Sequence, residues 1–240
     1  MYKKKNFLAI IPARAGSKRI PNKNLQLIGN KPMIQFTIEA AIYSLQKSNI
    51  IISSNDIKVH NIAKKLGLNV PFIRPHNLST ETATTSSVIL HAIQWYKKQH
   101  GLIPDNLILL QPTSPFRTAG DIKKSMKKFI TSKKKTLVSA CIPTQHPVDF
   151  LYQDNNKKFK RLKIIKLKKN FNKRKKYPKM YFIDGGIYIS KTTHFIETRD
   201  MIGKDPDIFL TSQLHAIDVD TPFDLHLARI MHQKFMNKLV

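Results

Sequence analysis

The chain has 240 residues, with 42 Lys and Arg against 15 Asp and Glu and a formal charge of +27. Hydrophobic residues make up 41 %, enough for one α/β unit with a substantial core, and the lone Cys141 excludes an intrachain disulfide and argues against a cysteine-held zinc. No apolar stretch approaches the ~20 residues of a membrane-spanning helix, and Pro12 and Arg14 interrupt the first apolar run too early for a secretory leader.

Residues 7–11, FLAII, read as a short buried strand. A helical stripe follows over 33–45, with Ile34, Ile38, Ala41, Ile42 and Leu45 on one face, and NIIIS at 49–53 gives the next strand. DIKVHNIAKKLG reads as a helix capped by Gly67, VPFI as a brief extended piece, and residues 80–101 as a long helix ending near Gly101. NLILLQ is a strand; Thr118 with Asp121 three residues on marks the start of another helix, and TLVSACI is a further strand. Strands alternating with helices predict a mostly parallel sheet covered on both faces.

The rhythm breaks after Ile142. Residues 143–180 hold three prolines and eleven lysines without a long helical stripe, and are expected to be an inserted arm. The core then resumes with GGIYIS at 185–190 and LHAIDVD at 214–220, both expected as strands. The last helix starts at Thr221 as N-cap, with Pro222 and Asp224 suited to its first turn. The lysine runs on the helices and in the arm read mainly as solvated faces.

Ligands of open parallel sheets bind beyond the carboxyl ends of the strands, and four polar segments start there. The loop IPARAGSKRIPNKN puts Arg14, Ser17, Lys18, Arg19 and Lys23 after the first strand. It lacks the P-loop spacing, but cations and backbone N–H groups on such a loop suit a triphosphate. In IDVD, Asp218 and Asp220 at alternate positions present two carboxylates to one side; a cation between them relieves their repulsion, and Mg²⁺ is the natural one. In LLQPTSPFR, two prolines stiffen a turn that carries Gln111 and Ser114, able to bind hydroxyls or a carboxylate. Arg74 stands at a fourth such end. Gly185 and Gly186 mark either a ligand's close approach or a strand bulge. No dinucleotide fingerprint, zinc-protease motif or serine-hydrolase elbow is present.

IPARAGSKRIPNKN, ISSND, RPHNLSTETATT, LLQPTSPFR and IDVDT, in this order, resemble the N-acylneuraminate cytidylyltransferases, which activate sialic acid and related nine-carbon acidic sugars. The resemblance covers most of the chain and is weakest over 143–182. It implies a single cytidylyltransferase domain over 1–240, a three-layer αβα unit with a Rossmann-like sheet of the nucleotide-diphospho-sugar transferase type. It also implies CTP as co-substrate, Mg²⁺ as cofactor, and a homodimer to which the arm at 143–182 contributes; the lone cysteine fits a cytoplasmic location.

Carried over by position, Arg14, Lys18 and Lys23 would hold the triphosphate with Ser17 nearby. Asn24, Arg74 and Thr85 would contact the nucleoside, Gln111 would face the acceptor sugar, and Asp218 and Asp220 would bind the metal. Arg14, Lys23, Asp218 and Asp220 are the expected catalytic group. One stretch departs from the family: in YFIDGGIYI, Phe182 stands where sialic acid enzymes often carry arginine, and Asp184 stands where they carry asparagine. The acceptor is then a legionaminic or other modified nonulosonic acid, or Arg174 or Lys179 supplies the charge; sialic acid and its relatives both stay open. The alternatives are a cytidylyltransferase for the eight-carbon acid of lipopolysaccharide, and a basic nucleic-acid-binding protein. No known nucleic-acid motif and no aromatic interleaving of the basic runs favour the latter, so neither nucleic acid nor membrane is an expected partner.

Overall fold

The computed structural model describes residues 6–162 and 178–235. Strand β1 (Phe7–Pro12) leads through the basic loop to a small hairpin, β2 (Leu27–Ile28) and β3 (Lys31–Pro32), and then to helix α1 (Met33–Ile42). There follow β4 (Ile50–Ser53), α2 (Ile57–Lys65), α3 (Thr85–His100), β5 (Asn106–Leu109), α4 (Ala119–Thr131) and β6 (Thr136–Cys141). The excursion carries a hairpin, β7 (Leu151–Gln153) and β8 (Phe159–Arg161). The chain closes with β9 (Phe182–Lys191), α5 (Thr192–Thr198), β10 (Asp207–Leu210) and α6 (Pro222–Phe235).

The main sheet has the order β10-β6-β9-β5-β1-β4. Five strands run one way, and β9 lies antiparallel between β5 and β6. The alternation along β1 explains the layers. Phe7, Ala9 and Ile11 face a core with Ile34 and Ile38 of α1, Val59 of α2 and Phe129 of α4, while Leu8 and Ile10 face Ile89 and Ile93 of α3 and Phe195 of α5. Both faces of the sheet are thus covered by helices, as expected.

The helix ends follow their cap residues. Thr118 and Asp121 form a reciprocal capping box. Gly101, at φ 71°, closes α3 with its N–H on the Lys97 carbonyl at 2.8 Å. Helix α3 starts at Thr85, five residues later than expected, because the Thr84 hydroxyl caps it by accepting from the Ser87 N–H.

One other expectation is corrected, and some elements went unforeseen. Residues 70–73, expected as a brief extended piece, join no strand. Strand β10 and helix α5 carry too little periodic signal in four and seven residues to stand out. Segment 214–220 is not a strand: its Val219 N–H bonds the Thr113 carbonyl at 2.8 Å instead of joining a ladder. Its apolar alternation is nonetheless real. Ile217 and Val219 enter a third cluster with Ile20, Ile28, Met33, Phe116, Leu225 and Ala228.

Candidate active site

That third cluster brings the two ends of the chain together. Ile20, in the basic loop, and Val219, between the two aspartates, are both buried in it. Each buried side chain of this size is worth about 1.5–3 kcal/mol relative to exposure. Apolar packing therefore anchors a cationic segment beside an anionic one.

The basic loop is tied to the residues after β4. The Ala13 N–H donates to the Ser53 carbonyl, the Ser54 hydroxyl to the Ala13 carbonyl, and the Ala15 N–H to Asn55 Oδ1, at 2.8, 2.6 and 2.9 Å. Asn24 Nδ2 donates to the Arg14 carbonyl at 3.1 Å, folding the far limb of the loop onto the near one. Asn22 takes a left-handed conformation, φ 50°, to enter the short turn at Lys23–Leu25.

A cleft of about 560 Å³ opens at the carboxyl ends of β1, β4 and β5. Arg14, Ser17, Lys18, Lys23, Asn24, Arg74, Thr85, Gln111, Asp218 and Asp220 all line it, so the residues assigned by the family resemblance to nucleotide, acceptor and metal meet at one place. Arg19, Glu81 and Thr113 line it too. Glu81 pairs with Lys18 at 2.7 Å across the exposed rim, inside a stretch that the family resemblance had already marked. Ser114, in contrast, is buried, and it is not among the lining residues.

The charges are not equivalent. Lys23 is mostly buried, with its side chain 17 % exposed, and its Nζ lies 2.8 Å from Asp220 Oδ1. Arg74 is buried and donates Nη2 to the Ser53 carbonyl at 2.9 Å. Burial, and then the charge of Arg14, pull its pKa down to about 10, so it stays a cation. Burial raises the Asp218 carboxyl above the ordinary range and the charge of Asp220 adds to this, while hydrogen bonding from Thr113 and the charge of Lys23 work against it. Its Oδ1 is buried without a hydrogen-bond partner.

An orphaned carboxylate oxygen beside a second carboxylate fits a hard divalent cation. Among the described residues no group of three or more His, Cys, Asp or Glu could hold a metal. Mg²⁺, however, needs only one or two carboxylates when phosphates complete its shell.

Behind the cleft, Gly185 (φ 77°) lies at a register shift between β6 and β9, and a Cβ there would meet Gln111 Oε1 at 3.3 Å and the Asp218 carboxylate at 3.7 Å. The bulge reading of the glycine pair therefore holds, and the bulge lies against site residues. Asp184 does not face the cleft. It is buried, and it accepts from the hydroxyls of Ser139 and Thr211 and, at 2.9 Å, from the Gly186 N–H. Phe182 and Lys179 are exposed and line no part of the cleft, and Arg174 lies outside the described residues.

A doubly covered sheet whose strand-end cleft offers cations to phosphates and paired carboxylates to a metal is the arrangement of a nucleotidyltransferase. The sequence profile of the cytidylyltransferases matches residues 8–220, and the chain belongs to that family. Its relatives include a pseudaminic acid cytidylyltransferase of Campylobacter jejuni, 29 % identical and covering 94 % of this chain and 96 % of that protein. They also include a CMP-N,N'-diacetyllegionaminic acid synthase of Legionella pneumophila, 30 % identical over 97 % of this chain and 99 % of that one. An N-acylneuraminate cytidylyltransferase of Escherichia coli is 29 % identical over 95 % of this chain and 52 % of its own length.

Among solved structures, a CMP:2-keto-3-deoxy-manno-octonic acid synthetase complexed with CTP shares the fold, with a TM-score of 0.63 at 17 % identity over 98 % of this chain and all of that one. A 4-diphosphocytidyl-2C-methyl-D-erythritol synthase from Anaerococcus prevotii gives 0.64 at 13 %, over 96 % of this chain and 99 % of that one. The enzyme is thus a nucleotidyltransferase of the CMP-nonulosonate synthetase group.

Proposed function

We propose that the chain transfers CMP from CTP to the anomeric hydroxyl of a nine-carbon acidic sugar of the sialic, legionaminic or pseudaminic type. The observation that carries this reading is the convergence, in one cleft, of the basic loop after β1 and the aspartates before α6. The anomeric oxygen forms a bond to the α-phosphorus, the bond from that phosphorus to the bridging oxygen breaks, and pyrophosphate leaves.

Arg14, Lys18 and Lys23, with Ser17, neutralise the triphosphate and the charge that grows on the leaving oxygen. Asn24, Arg74 and Thr85 hold the nucleoside, and Gln111 meets the acceptor beside Gly185. Asp218 and Asp220 would hold Mg²⁺, which when bound supplies charge neutralisation at the phosphates and polarises the attacking hydroxyl. In the free protein Lys23 occupies Asp220 and must turn to the phosphates when nucleotide enters. A cytoplasmic location follows from the use of CTP.

Residues 143–182 serve, on this reading, as a dimerisation arm of the single cytidylyltransferase domain. Phe150, Leu151, Tyr152 and Phe159 are exposed on or beside the β7–β8 hairpin. A two-stranded hairpin does not sustain itself in water, and clustered apolar side chains on it call for a cover, here a second copy. Light scattering on the full chain should return the dimer mass.

The deciding assay is pyrophosphate release from CTP and Mg²⁺ with a panel of sialic, legionaminic and pseudaminic acids and the eight-carbon acid. A nine-carbon acid is expected to be turned over best. Preference for the eight-carbon acid, or no release with any acid, would overturn the assignment.

A further inference from the structure

Arg117 stands behind the wall of the cleft rather than in it. The residue is 4 % exposed and lines no part of the cavity. Its Nη1 donates to the Gly186 carbonyl at 2.6 Å and the Gln111 carbonyl at 3.1 Å, and its Nη2 donates to Thr37 Oγ1 at 2.7 Å. Among the described residues no carboxylate lies within ion-pair distance of it. Burial lowers its pKa to about 10, while the charges of Asp184, Asp121 and Asp218 act at longer range to keep it protonated.

A buried guanidinium spent on two carbonyls and a hydroxyl is expensive unless those groups need fixing. The strand register shows why they do. Strands β5 and β9 pair from Asn106 with Lys191 up to Leu109 with Tyr188, and there the ladder stops. Gln111 and Gly186 would be the pair two positions further on, but Pro112 turns one chain away and the Gly185 bulge turns the other. Arg117 takes both of their carbonyls and so replaces the missing ladder with a side-chain staple. The staple joins the two segments that meet at the acceptor end, since Gly185 lies against both the Gln111 side chain and Asp218.

Resting on the cytidylyltransferase reading above, we propose that Arg117 is a positioning residue that sets the acceptor end of the cleft by clamping the Gln111 segment to the Gly185–Gly186 turn. It touches neither substrate. Arg rather than Lys is required, because a planar fork addresses two carbonyls and a hydroxyl in fixed directions and an ammonium does not.

The test compares wild type with Arg117→Lys and Arg117→Ala, using CTP and whichever nine-carbon acid the wild type uses best. CTP affinity, measured by calorimetry, should stay within about threefold, whereas kcat should fall about 10²-fold with a raised acceptor KM, as for an ångström-scale misplacement. Guanidinium at low millimolar concentration should restore part of kcat to Arg117→Ala and none to Arg117→Lys, whose side chain still fills the space. Wild-type kinetics in both variants, or equal weakening toward CTP and acceptor with no guanidinium rescue, would reduce Arg117 to general scaffolding and overturn the proposal.

If Arg117→Ala fails to fold, Arg117→Lys and Thr37→Val decide. Removing the third anchor should give the same acceptor-side split at smaller size, and no split in either variant refutes it. A wild type inactive with every acid overturns the functional reading and this inference with it. An active wild type with indifferent variants overturns this inference alone.

Discussion

Alanine in place of Lys23 removes the most enclosed lysine of the basic loop while leaving the backbone turn at Lys23–Leu25 in place. An ammonium about 4 Å from a phosphate charge, in surroundings of effective dielectric near 20, contributes about 4 kcal/mol. Loss of that interaction in the transition state lowers kcat/KM for CTP by about 10³-fold. The cost to the fold is far smaller. The ion pair of Lys23 with Asp220 ends on a carboxylate that is 53 % exposed, and such pairs are worth at most about 1 kcal/mol, a shift of about 2–4 °C in Tm for a chain of this size. Pyrophosphate release at varied CTP, with a thermal melt of the same preparation, reads both quantities. A kcat/KM for CTP within threefold of wild type would refute the placement of Lys23 at the phosphates; a collapsed melt would refute the separation of binding from folding.

Asp220→Asn should abolish Mg²⁺-dependent turnover with little change in Tm, because Asp220 is exposed and among the described residues it pairs with Lys23 alone; turnover that titrates normally with Mg²⁺ would count against the metal assignment. Gly185→Ala forces a Cβ onto a left-handed backbone at a cost of about 1–2 kcal/mol. That Cβ also presses toward Gln111 and Asp218, so acceptor KM should rise while CTP binding, followed by calorimetry, holds. At Asp224, burial alone would raise the carboxyl, but hydrogen bonds from the Thr221 hydroxyl and the Thr221 and Asp220 N–H groups, with the charge of Lys23, outweigh it and hold it below the ordinary carboxylate value. Its contribution is therefore present above the unfolded value and lost as pH falls through the lower folded one. Asp224→Asn should cost about 1 kcal/mol of stability at neutral pH as a weakened cap, with the deficit shrinking in acid; denaturant melts from pH 7 to 3 that show a pH-independent deficit would contradict this.

Much of this architecture was legible before any coordinates. Buried strands such as FLAII and NLILLQ are short runs of apolar residues, and the caps at Thr118 and Thr221 announce their helices by side-chain type. The cleft residues were legible because cations and prolines at strand ends and closely spaced aspartates have few other uses. What escaped had physical reasons. Segment 214–220 alternates like a strand because Ile217 and Val219 are buried, yet burial alone does not supply a ladder partner. The antiparallel course of β9 leaves no local mark, since direction is set by where the excursion returns. Arg117 and Asp184 were hidden because a charge in sequence looks like surface, and only packing reveals that both are enclosed. Glu81 reads as an ordinary acid in the first turn of a helix until Lys18 is found across the cleft mouth.

The reversed strand has a consequence for how such enzymes diversify. Strands β6 and β9 are antiparallel neighbours, with Cys141 opposite Phe182, so the chain leaves the sheet after β6 and re-enters it at β9 side by side. Exit and re-entry share one doorway, on the edge of the sheet where the cleft opens. Residues can be gained, lost or exchanged there without rethreading any other strand, so the excursion is free to change while the order of the main sheet stays as it is.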